Sequence, residues 1–213
     1  TARQRLQRFW RPERGLFADG DDDCSQLTNG LALLADAAPR DQAATIASSL
    51  RGPEVSPVQD LKEASLLAEG LWHAGQGARA HDVVDTWWLR IVERKGLAWR
   101  DKRAADAAGA APGPEYLIVR YLLGISSEES GLRRRRVQPD LLHTAEARGG
   151  LPTPTGSIDI DWRTREVEGA RQTTLRLEVE GEGITELALD RGGRRNPTLS
   201  VNGAVVWRNE KVY

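Results

Sequence analysis

The chain has 213 residues, of which 39% are hydrophobic and 29% charged, and its formal net charge is -1 at pH 7. This length allows one large domain or two modest ones, and the balanced charge provides no field that would attract nucleic acid or an anionic membrane. The sequence has no charged-then-apolar leader and no apolar run of roughly 18 residues. We therefore expect neither a membrane partner nor a nucleic-acid partner, and a cytoplasmic or secreted protein.

The first ten residues, Thr1 to Trp10, already have the composition of a helix, and the chain contains no Met. These features predict the tail of a longer gene product, whose upstream half would be a partner of this stretch. Cys24 is the single cysteine. An internal disulfide is therefore impossible, which fits a reducing cytoplasm without excluding export.

Between Ser25 and about Ile125, apolar residues recur with the spacing of one-sided helices. The recurring positions include Leu27, Leu31, Leu34, Ala38, Val58, Leu61, Ala68, Leu71, Trp72, Ala80, Val83, Val84, Trp87 and Ile91. Boundary residues separate them: Pro39 near one start, Ser56-Pro57 as N-cap and first turn, and the run 75–77 between two helices. The short breaks predict antiparallel helical hairpins, as in bundles, solenoids or helical barrels.

After Ser126 the apolar period changes to two, which predicts strands at Ile158 to Trp162 and Leu175 to Val179. Asn202-Gly203 lies between two such stretches and favours a two-residue hairpin turn. Helices followed by separate strands predict a helical domain over residues 1–128 joined to an antiparallel β-sandwich over 129–213.

Seven tryptophans stand out in a chain with 6% aromatic residues. Flat indole faces can stack on the C–H faces of sugar rings, and they also fill cores. Trp87 lies on the apolar face of its helix and is expected in the core, so the adjacent Trp88 must point elsewhere. Trp10 and Trp99 lie near breaks, where lining a groove and packing inside the protein both remain open.

A loop over residues 15–29 gathers carboxylate and amide side chains just before a helix. Asp19 and Asn29 in this loop are candidate ligands for sugar hydroxyls. The structural alternative is a turn at Asp19-Gly20 followed by an N-cap at Ser25. The aspartate run lacks the residue spacing of an EF-hand calcium loop.

Other common site types find little support in the sequence. His73, His81 and His143 have no Cys or carboxylate partners at ligand spacing, so we expect no metal and no cofactor. A P-loop, a dinucleotide fingerprint and a G-x-S-x-G elbow are absent from the sequence. The basic run Arg133 to Arg136 enters a predicted strand, where we interpret it as an exposed edge protected by charge rather than a nucleic-acid surface.

Several short motifs, in chain order, resemble the C-terminal end of the bacterial α-L-rhamnosidase family. They are Trp10, Asp19-Gly20, Ser25-Gln26, Asn29, Tyr116-Leu117, Leu123-Gly124-Ile125, Val137, Pro139 and the run from Gly150 to Ile158. The resemblance implies that residues 1 to about 125 are the closing hairpins of an (α/α)6 barrel and that the rest is a C-terminal β-sandwich. It also implies a carbohydrate partner, a rhamnosylated glycoside.

Members of this family are inverting hydrolases, in which an acid protonates the leaving oxygen and a carboxylate activates water on the opposite face. The two carboxyl groups are about 6.5 to 9.5 Å apart, which leaves room for that water. The resemblance places the general acid upstream of Thr1. The family's general base follows a Trp, but here Trp99 is followed by Arg100 where a Glu is expected. Asp101, one position later, is the candidate base, and an ion pair with Arg100 or Lys102 is the alternative.

A second departure from the family is the lack of a His near Ala108. Three hypotheses follow. The chain is part of a glycoside hydrolase whose pocket includes Trp99 and Asp101, a carbohydrate-binding relative that has lost the catalytic carboxylate, or a helical scaffold without a ligand. Exposure of Trp10, Trp88 and Trp99 along one concave wall would favour the first two.

Overall fold

The protein is described from a computed structural model, which places residues 2–20, 23–89, 114–127, 133–189, 198–201, 204–208 and 211–212. The chain divides into two units, Thr1–Gly124 and Ile125–Tyr213. Helices dominate the first unit and strands the second. The sequence placed this division near residue 128, four residues later than the structure does.

The helical unit contains six described α-helices and four two-residue strands. The helices are α1 (Ala2–Leu6), α2 (Gln26–Leu34), α3 (Arg40–Ser49), α4 (Leu61–His73), α5 (Gly77–Val84) and α6 (Pro114–Leu117). A 3-10 turn, Gln7–Phe9, follows α1, while π-helical turns follow α5 at Asp85–Leu89 and α6 at Ile118–Leu122. The strands are β1 (Trp10–Arg11), β2 (Leu16–Phe17), β3 (Cys24–Ser25) and β4 (Val55–Ser56), paired as β1–β2 antiparallel and β3–β4 parallel.

Side-chain caps set where two of these helices begin. Ser25 caps α2 as predicted, because its hydroxyl accepts a hydrogen bond from Thr28 N at 3.1 Å. The predicted cap of α4 at Ser56-Pro57 is wrong. Ser56 is instead extended in β4, and Asp60 caps α4 by accepting a hydrogen bond from Glu63 N at 2.8 Å.

The end of α4 confirms the predicted break over residues 75–77. Gly75 has φ +73°, the left-handed conformation that commonly follows a helix, and α5 begins two residues later at Gly77.

Two glycines allow α2 and α4 to pack closely. A Cβ atom on Gly70 would lie 2.1 Å from Gly30 O, and one on Gly30 would lie 2.8 Å from Leu67 Cα. Neither position can take a side chain without separating the helices. Around this contact lies one continuous apolar core, which includes Leu16, Phe17, Leu33, Ile46, Leu67, Leu71 and Leu117. The amphipathic spacing predicted for α4 is confirmed, because Ala68 and Leu71 are buried. In α2 the predicted face is wrong, because Leu31 is 41% exposed and the core instead buries Asn29, Gly30, Ala32 and Leu33.

The strand unit contains three described sheets. The strands are β5 (Ile125–Ser127), β6 (Arg134–Val137), β7 (Glu146–Thr153), β8 (Gly156–Val167), β9 (Ala170–Val179), β10 (Ile184–Leu187), β11 (Thr198–Val201), β12 (Ala204–Arg208) and β13 (Lys211–Val212). Their order is β10–β6–β5, β7–β8–β9 and β11–β12–β13. The last two sheets are antiparallel, as predicted, but β10 runs parallel to β6, so the first sheet is mixed.

The β7–β8–β9 meander has one buried face and one polar face. Ile158, Ile160 and Trp162 of β8 are buried, which confirms the period of two. Glu168 and Gly169, with φ values of +51° and +74°, form the two-residue turn between β8 and β9. Such positive angles are those that a tight hairpin turn requires.

The predicted hairpin near the end of the chain is confirmed by its pairing. Val201 of β11 lies opposite Ala204 of β12, as a two-residue connection demands. The turn residues, Asn202 and Gly203, lie outside the described residues.

The interpretation of the basic run as an edge strand is wrong. Strand β6 is the central strand of its sheet, with β10 on one side and β5 on the other. Strand alternation turns Arg135 and Val137 to one side, where Arg135 is 1% exposed and Val137 is 0% exposed. Arg135 Nη2 donates to Glu182 O, whereas its Nε and Nη1 have no partner among the described residues.

Candidate functional site

Three of the predicted site residues lie beyond what the structure describes. Trp99 and Asp101 fall within 90–113, outside the described residues. The backbone of Trp88 belongs to the π-helical turn after α5, but the structure does not describe its side chain. Their roles stay predictions.

Trp10 is half-buried on β1. Its ring meets the ring of Phe17 edge-on, with centroids 5.1 Å apart, and it packs against the helical core. This contact explains the position of Trp10 by packing. A sugar contact on its exposed part stays a prediction.

Asp19 and Asn29 lie in very different surroundings. Asp19 is exposed, in a turn where its backbone N donates to Asp23 O at 2.6 Å. Asn29 is 0% exposed, and its amide bonds the backbone of Phe17 in both directions, at 2.8 Å to N and 3.0 Å to O. Asn29 Nδ2 also donates to Ser25 O at 2.9 Å. The prediction of Asn29 as a sugar ligand is therefore corrected to a structural role, because both amide hydrogens are used inside the core.

Gln26 has a similar structural role. Its Nε2 donates to Leu50 O at 3.0 Å and its Oε1 accepts from Val58 N at 3.1 Å. The amides of Gln26 and Asn29 thus bridge backbone segments, a role that the sequence analysis did not predict. Of the two candidate sugar ligands in this loop, Asp19 and Asn29, only Asp19 remains accessible.

A set of polar and aromatic side chains that the sequence analysis did not group together meets between α4, α5 and the segment 115–122. We call it the Glu69 cluster; its members are Glu69, Trp72, His81, Tyr116, Arg120 and Tyr121. The hydroxyls of Tyr116 and Tyr121 both donate to Glu69 Oε1, at 3.3 and 3.0 Å. Among the described residues nothing bonds Glu69 Oε2, which leaves that oxygen for a ligand hydroxyl.

Aromatic stacking holds the rest of the Glu69 cluster together. Trp72 and Tyr121 stack with centroids 5.4 Å apart and an interplanar angle of 3°. His81 meets Trp72 edge-on at 5.3 Å. The guanidinium of Arg120 lies 5.8 Å from the ring centroid of Tyr116 and 5.5 Å from that of Tyr121. These contacts fix the rings, which lowers the entropy cost of binding to them.

The two phenols stay protonated at neutral pH. Burial raises the pKa of Tyr121 to about 12, and the negative charge of Glu69 adds to the rise while Arg120 opposes it. Burial, followed by the charge of Glu69, also raises the pKa of Tyr116. Both groups can therefore act as hydrogen-bond donors to the Glu69 carboxylate but not as bases.

The Glu69 cluster offers a ligand a partly exposed aromatic ring with charges beside it. Tyr116 is 42% exposed, and a carboxylate and a guanidinium flank it. A flat ring beside hydrogen-bonding groups suits a sugar, whose C–H face stacks while its hydroxyls bond. The signal in the sequence was the helical spacing of Glu69 with Trp72 and of Tyr116 with Arg120.

The described part of the chain contains no candidate metal site, because no three His, Cys, Asp or Glu side chains converge there. His73 Nε2 lies 3.2 Å from Asp36, and His143 Nδ1 lies 2.7 Å from Asp140. Each of these two histidines thus lies beside a carboxylate. None of the described helices has the length and apolar character needed to cross a bilayer.

Comparisons with known proteins support a likeness of fold. No family model matches the sequence, and no curated protein matches it. Among solved structures, the chain is similar to the GH78 family rhamnosidase of Bacillus sp. GL1, with a TM-score of 0.67 and 18% sequence identity. The match covers 89% of this chain and 22% of the rhamnosidase chain. The chain therefore has the fold of about a fifth of a GH78 rhamnosidase, a distant structural relationship.

Proposed function

We propose that this chain is the C-terminal part of a glycoside hydrolase that removes terminal α-L-rhamnose. The observation that carries the proposal is the likeness of fold to a rhamnosidase over 89% of the chain, a share that reaches into both units. The order of the short sequence motifs from Trp10 to Ile158 points to the same family. In this proposal residues 1–128 are the closing hairpins of an (α/α)6 barrel and residues 129–213 are a β-sandwich.

The proposed reaction is an inverting hydrolysis. A general acid from sequence upstream of Thr1 protonates the leaving oxygen, while Asp101 activates a water on the opposite face of the sugar. Trp99, Trp88 and Trp10 are the proposed aromatic contacts, and Asp19 is the proposed ligand for hydroxyls. The Glu69 cluster adds the exposed part of Tyr116 and the Oε2 oxygen of Glu69 to the carbohydrate-binding groups.

A second function, carbohydrate binding without catalysis, is favoured by one specific observation. Arg100 stands where the family has its catalytic Glu, and no His occurs near Ala108. A side chain that cannot accept a proton from water cannot replace that Glu. In this alternative the sugar-binding groups remain but the hydrolytic step is lost.

Hydrolysis of an aryl α-L-rhamnoside by the intact protein, with any sequence encoded before Thr1 included, tests both functions. Loss of a general base typically costs about 10²- to 10⁴-fold in rate, so we expect Asp101→Asn to reduce turnover by that factor. Asp85→Asn is the matched control, since it makes the same chemical change at an exposed helix position and should leave turnover unchanged.

Each remaining outcome selects another function. Normal turnover by Asp101→Asn would remove Asp101 from the mechanism. A wild-type protein that binds rhamnose without hydrolysing the aryl rhamnoside would be the binding relative. A protein that does neither would be a scaffold, and the glycosidase proposal would be abandoned.

A further inference from the structure

Strand β6 carries a guanidinium group that the strand unit buries without a matching negative charge. Arg135 is 1% exposed. Its Nη2 donates to Glu182 O, whereas its Nε and Nη1 are buried and have no hydrogen-bond partner among the described residues. Arginine does not lose its proton inside proteins, so burial cannot neutralise this side chain. A buried charge of this kind is strongly destabilising unless an anionic group compensates it.

A hydroxyl group that also lacks a partner lies beside this guanidinium. Thr185 of β10 is directly opposite Arg135 of β6 in the strand register. Register partners on neighbouring strands project to the same face of a sheet, and the strands are about 4.8 Å apart. The Oγ1 atom of Thr185 is buried and has no hydrogen-bond partner in the described part of the chain. Two nitrogens and one hydroxyl, all of them hydrogen-bond donors, therefore lack an acceptor on one face of the β10–β6–β5 sheet.

The carboxylates of the described strands do not supply that acceptor. Glu186 of β10 projects to the opposite face, where it lies 3.8 Å from Arg136. Glu182 contacts Arg135 through its backbone oxygen only, and the residue is exposed. The other residues that the register places on the Arg135 face are not acidic: Ile125, Ser127, Val137 and Leu187.

We propose that Arg135 and Thr185 bind a small monovalent anion, chloride or formate, inside the strand unit. Such an anion accepts hydrogen bonds from both side chains and neutralises the guanidinium, which a water molecule cannot do. The turn before β10 limits the size of the anion. A Cβ atom on Gly183 would lie 3.0 Å from Arg135 Nη2, so the backbone of this turn closes over the guanidinium. The bound anion stabilises the fold and takes no part in the proposed hydrolysis.

Thermal unfolding of the intact protein in sodium chloride, sodium formate and sodium gluconate of equal ionic strength tests the proposal. Gluconate is the reference, because it is too large for a site that backbone closes over. Chloride, formate or both should raise the unfolding temperature relative to gluconate. The rise should follow the logarithm of the anion concentration once that concentration exceeds the Kd, because the unfolded chain does not hold these donors together. At about 100 times the Kd, the folding equilibrium constant should be roughly a hundredfold larger.

Two variants remove the donors one at a time. Thr185→Val keeps the shape of the side chain but lacks the hydroxyl, so the rise should begin at a roughly tenfold higher anion concentration. Arg135→Met should abolish the difference between the salts. Arg134→Met is the matched control, because it makes the same change at an exposed position of the same strand. It should respond to the three salts as the wild type does, since general effects of salt on stability act on every variant.

Equal unfolding temperatures of the wild type in the three salts would overturn the proposal, because water or another part of the protein would then satisfy Arg135. An anion response that Arg135→Met retains would overturn it as well. If Arg135→Met does not fold, Thr185→Val decides the question, and an unchanged onset of the rise in that variant would contradict the site. None of these results depends on rhamnoside turnover, so the proposed function stands or falls separately.

Discussion

The two units of this protein differ in how they bury their apolar side chains. In the helical unit, apolar residues from α2, α3, α4, α5 and α6 meet in one core, and two glycines bring α2 and α4 into backbone contact. In the strand unit, β8 buries Ile158, Ile160 and Trp162 on one side of a sheet whose other side is charged.

This difference follows from the geometry of the elements. A helix buries a stripe and needs neighbours around it, whereas a strand divides its side chains equally between two faces. The helical unit is consequently built around its interior, and the strand unit has a broad face left for contact with other molecules. In the helical unit the candidate binding groups form the small Glu69 cluster. In the strand unit the charged side chains extend across one whole face of the β7–β8–β9 sheet.

Trp162→Ala should have the largest effect on stability. It should destabilise the strand unit and leave the helical unit unchanged. Trp162 is 2% exposed, and its Nε1 donates to Thr144 O at 3.2 Å. Removing a buried Trp side chain typically costs about 4 kcal/mol of unfolding free energy. Hydrogen exchange measured by mass spectrometry should then rise in β7, β8 and β9 and stay unchanged in α2 and α4.

Val167→Ala is the control for this change, because Val167 lies on the same strand and is 45% exposed. It should alter exchange very little. If α2 and α4 of the Trp162→Ala variant exchanged as fast as the sheet, the two units would unfold together. That result would contradict the expectation that each unit is stabilised by its own buried residues.

Asn29→Ala should have the next largest effect and should distinguish a structural from a sugar-binding residue. The change leaves Phe17 N, Phe17 O and Ser25 O without their side-chain partner inside the core. Buried groups left unpaired cost about 1–3 kcal/mol each, and partial relaxation makes a loss of about 3 kcal/mol our expectation. Chemical denaturation measures it.

Asp19→Ala, at an exposed position in the same loop, is the comparison for Asn29. It should change stability by less than about 0.5 kcal/mol. If Asn29→Ala left stability intact and weakened sugar binding instead, the structural assignment of Asn29 would be withdrawn.

Tyr121→Phe should have the smallest of the three effects, a change in the pH dependence of stability that appears only at alkaline pH. The pKa of Tyr121 is about 12 in the folded protein, above its ordinary value of about 10. Between these values the folded state keeps a proton that the unfolded state releases, so the free energy of unfolding falls as pH rises through this window. After allowance for solvent screening, the fall due to this group is about 1 kcal/mol.

Urea denaturation of the wild type and of Tyr121→Phe, below and above this window, measures that fall. The wild type should lose about 1 kcal/mol more than the variant, because Phe has no proton to release. An equal loss in both proteins would mean that Tyr121 is more exposed than its stacking on Trp72 implies.

Much of the fold could be predicted from local sequence. The cap at Ser25, the break over residues 75–77 and the alternation in β8 each depend on a few neighbouring residues, and the structure has them all. The turn at Glu168-Gly169 was missed because Glu is not a typical residue of tight hairpin turns. The capping role of Asp60 was missed because the extension of Ser56 depends on its pairing with Ser25, distant in sequence.

The candidate site was less predictable, for a physical reason. Glu69, Tyr116 and Tyr121 are separated by up to 52 residues, and nothing in their separate segments shows that they share a carboxylate oxygen. The type of side chain was also a poor guide to exposure. Asn29 and Asp19 both looked like ligands, yet one is fully buried and the other exposed.

The sequence by itself determined the two regular periods, the division into helices and strands and several helix ends, because these depend on residues within one or two turns of the chain. Only the tertiary structure decided that β6 is a central strand with a buried arginine, that Asn29 belongs to the core, and that the hydroxyl of Thr185 lies beside that arginine. Those properties depend on which segments become neighbours, since burial and charge at a point are sums over residues far apart in the chain.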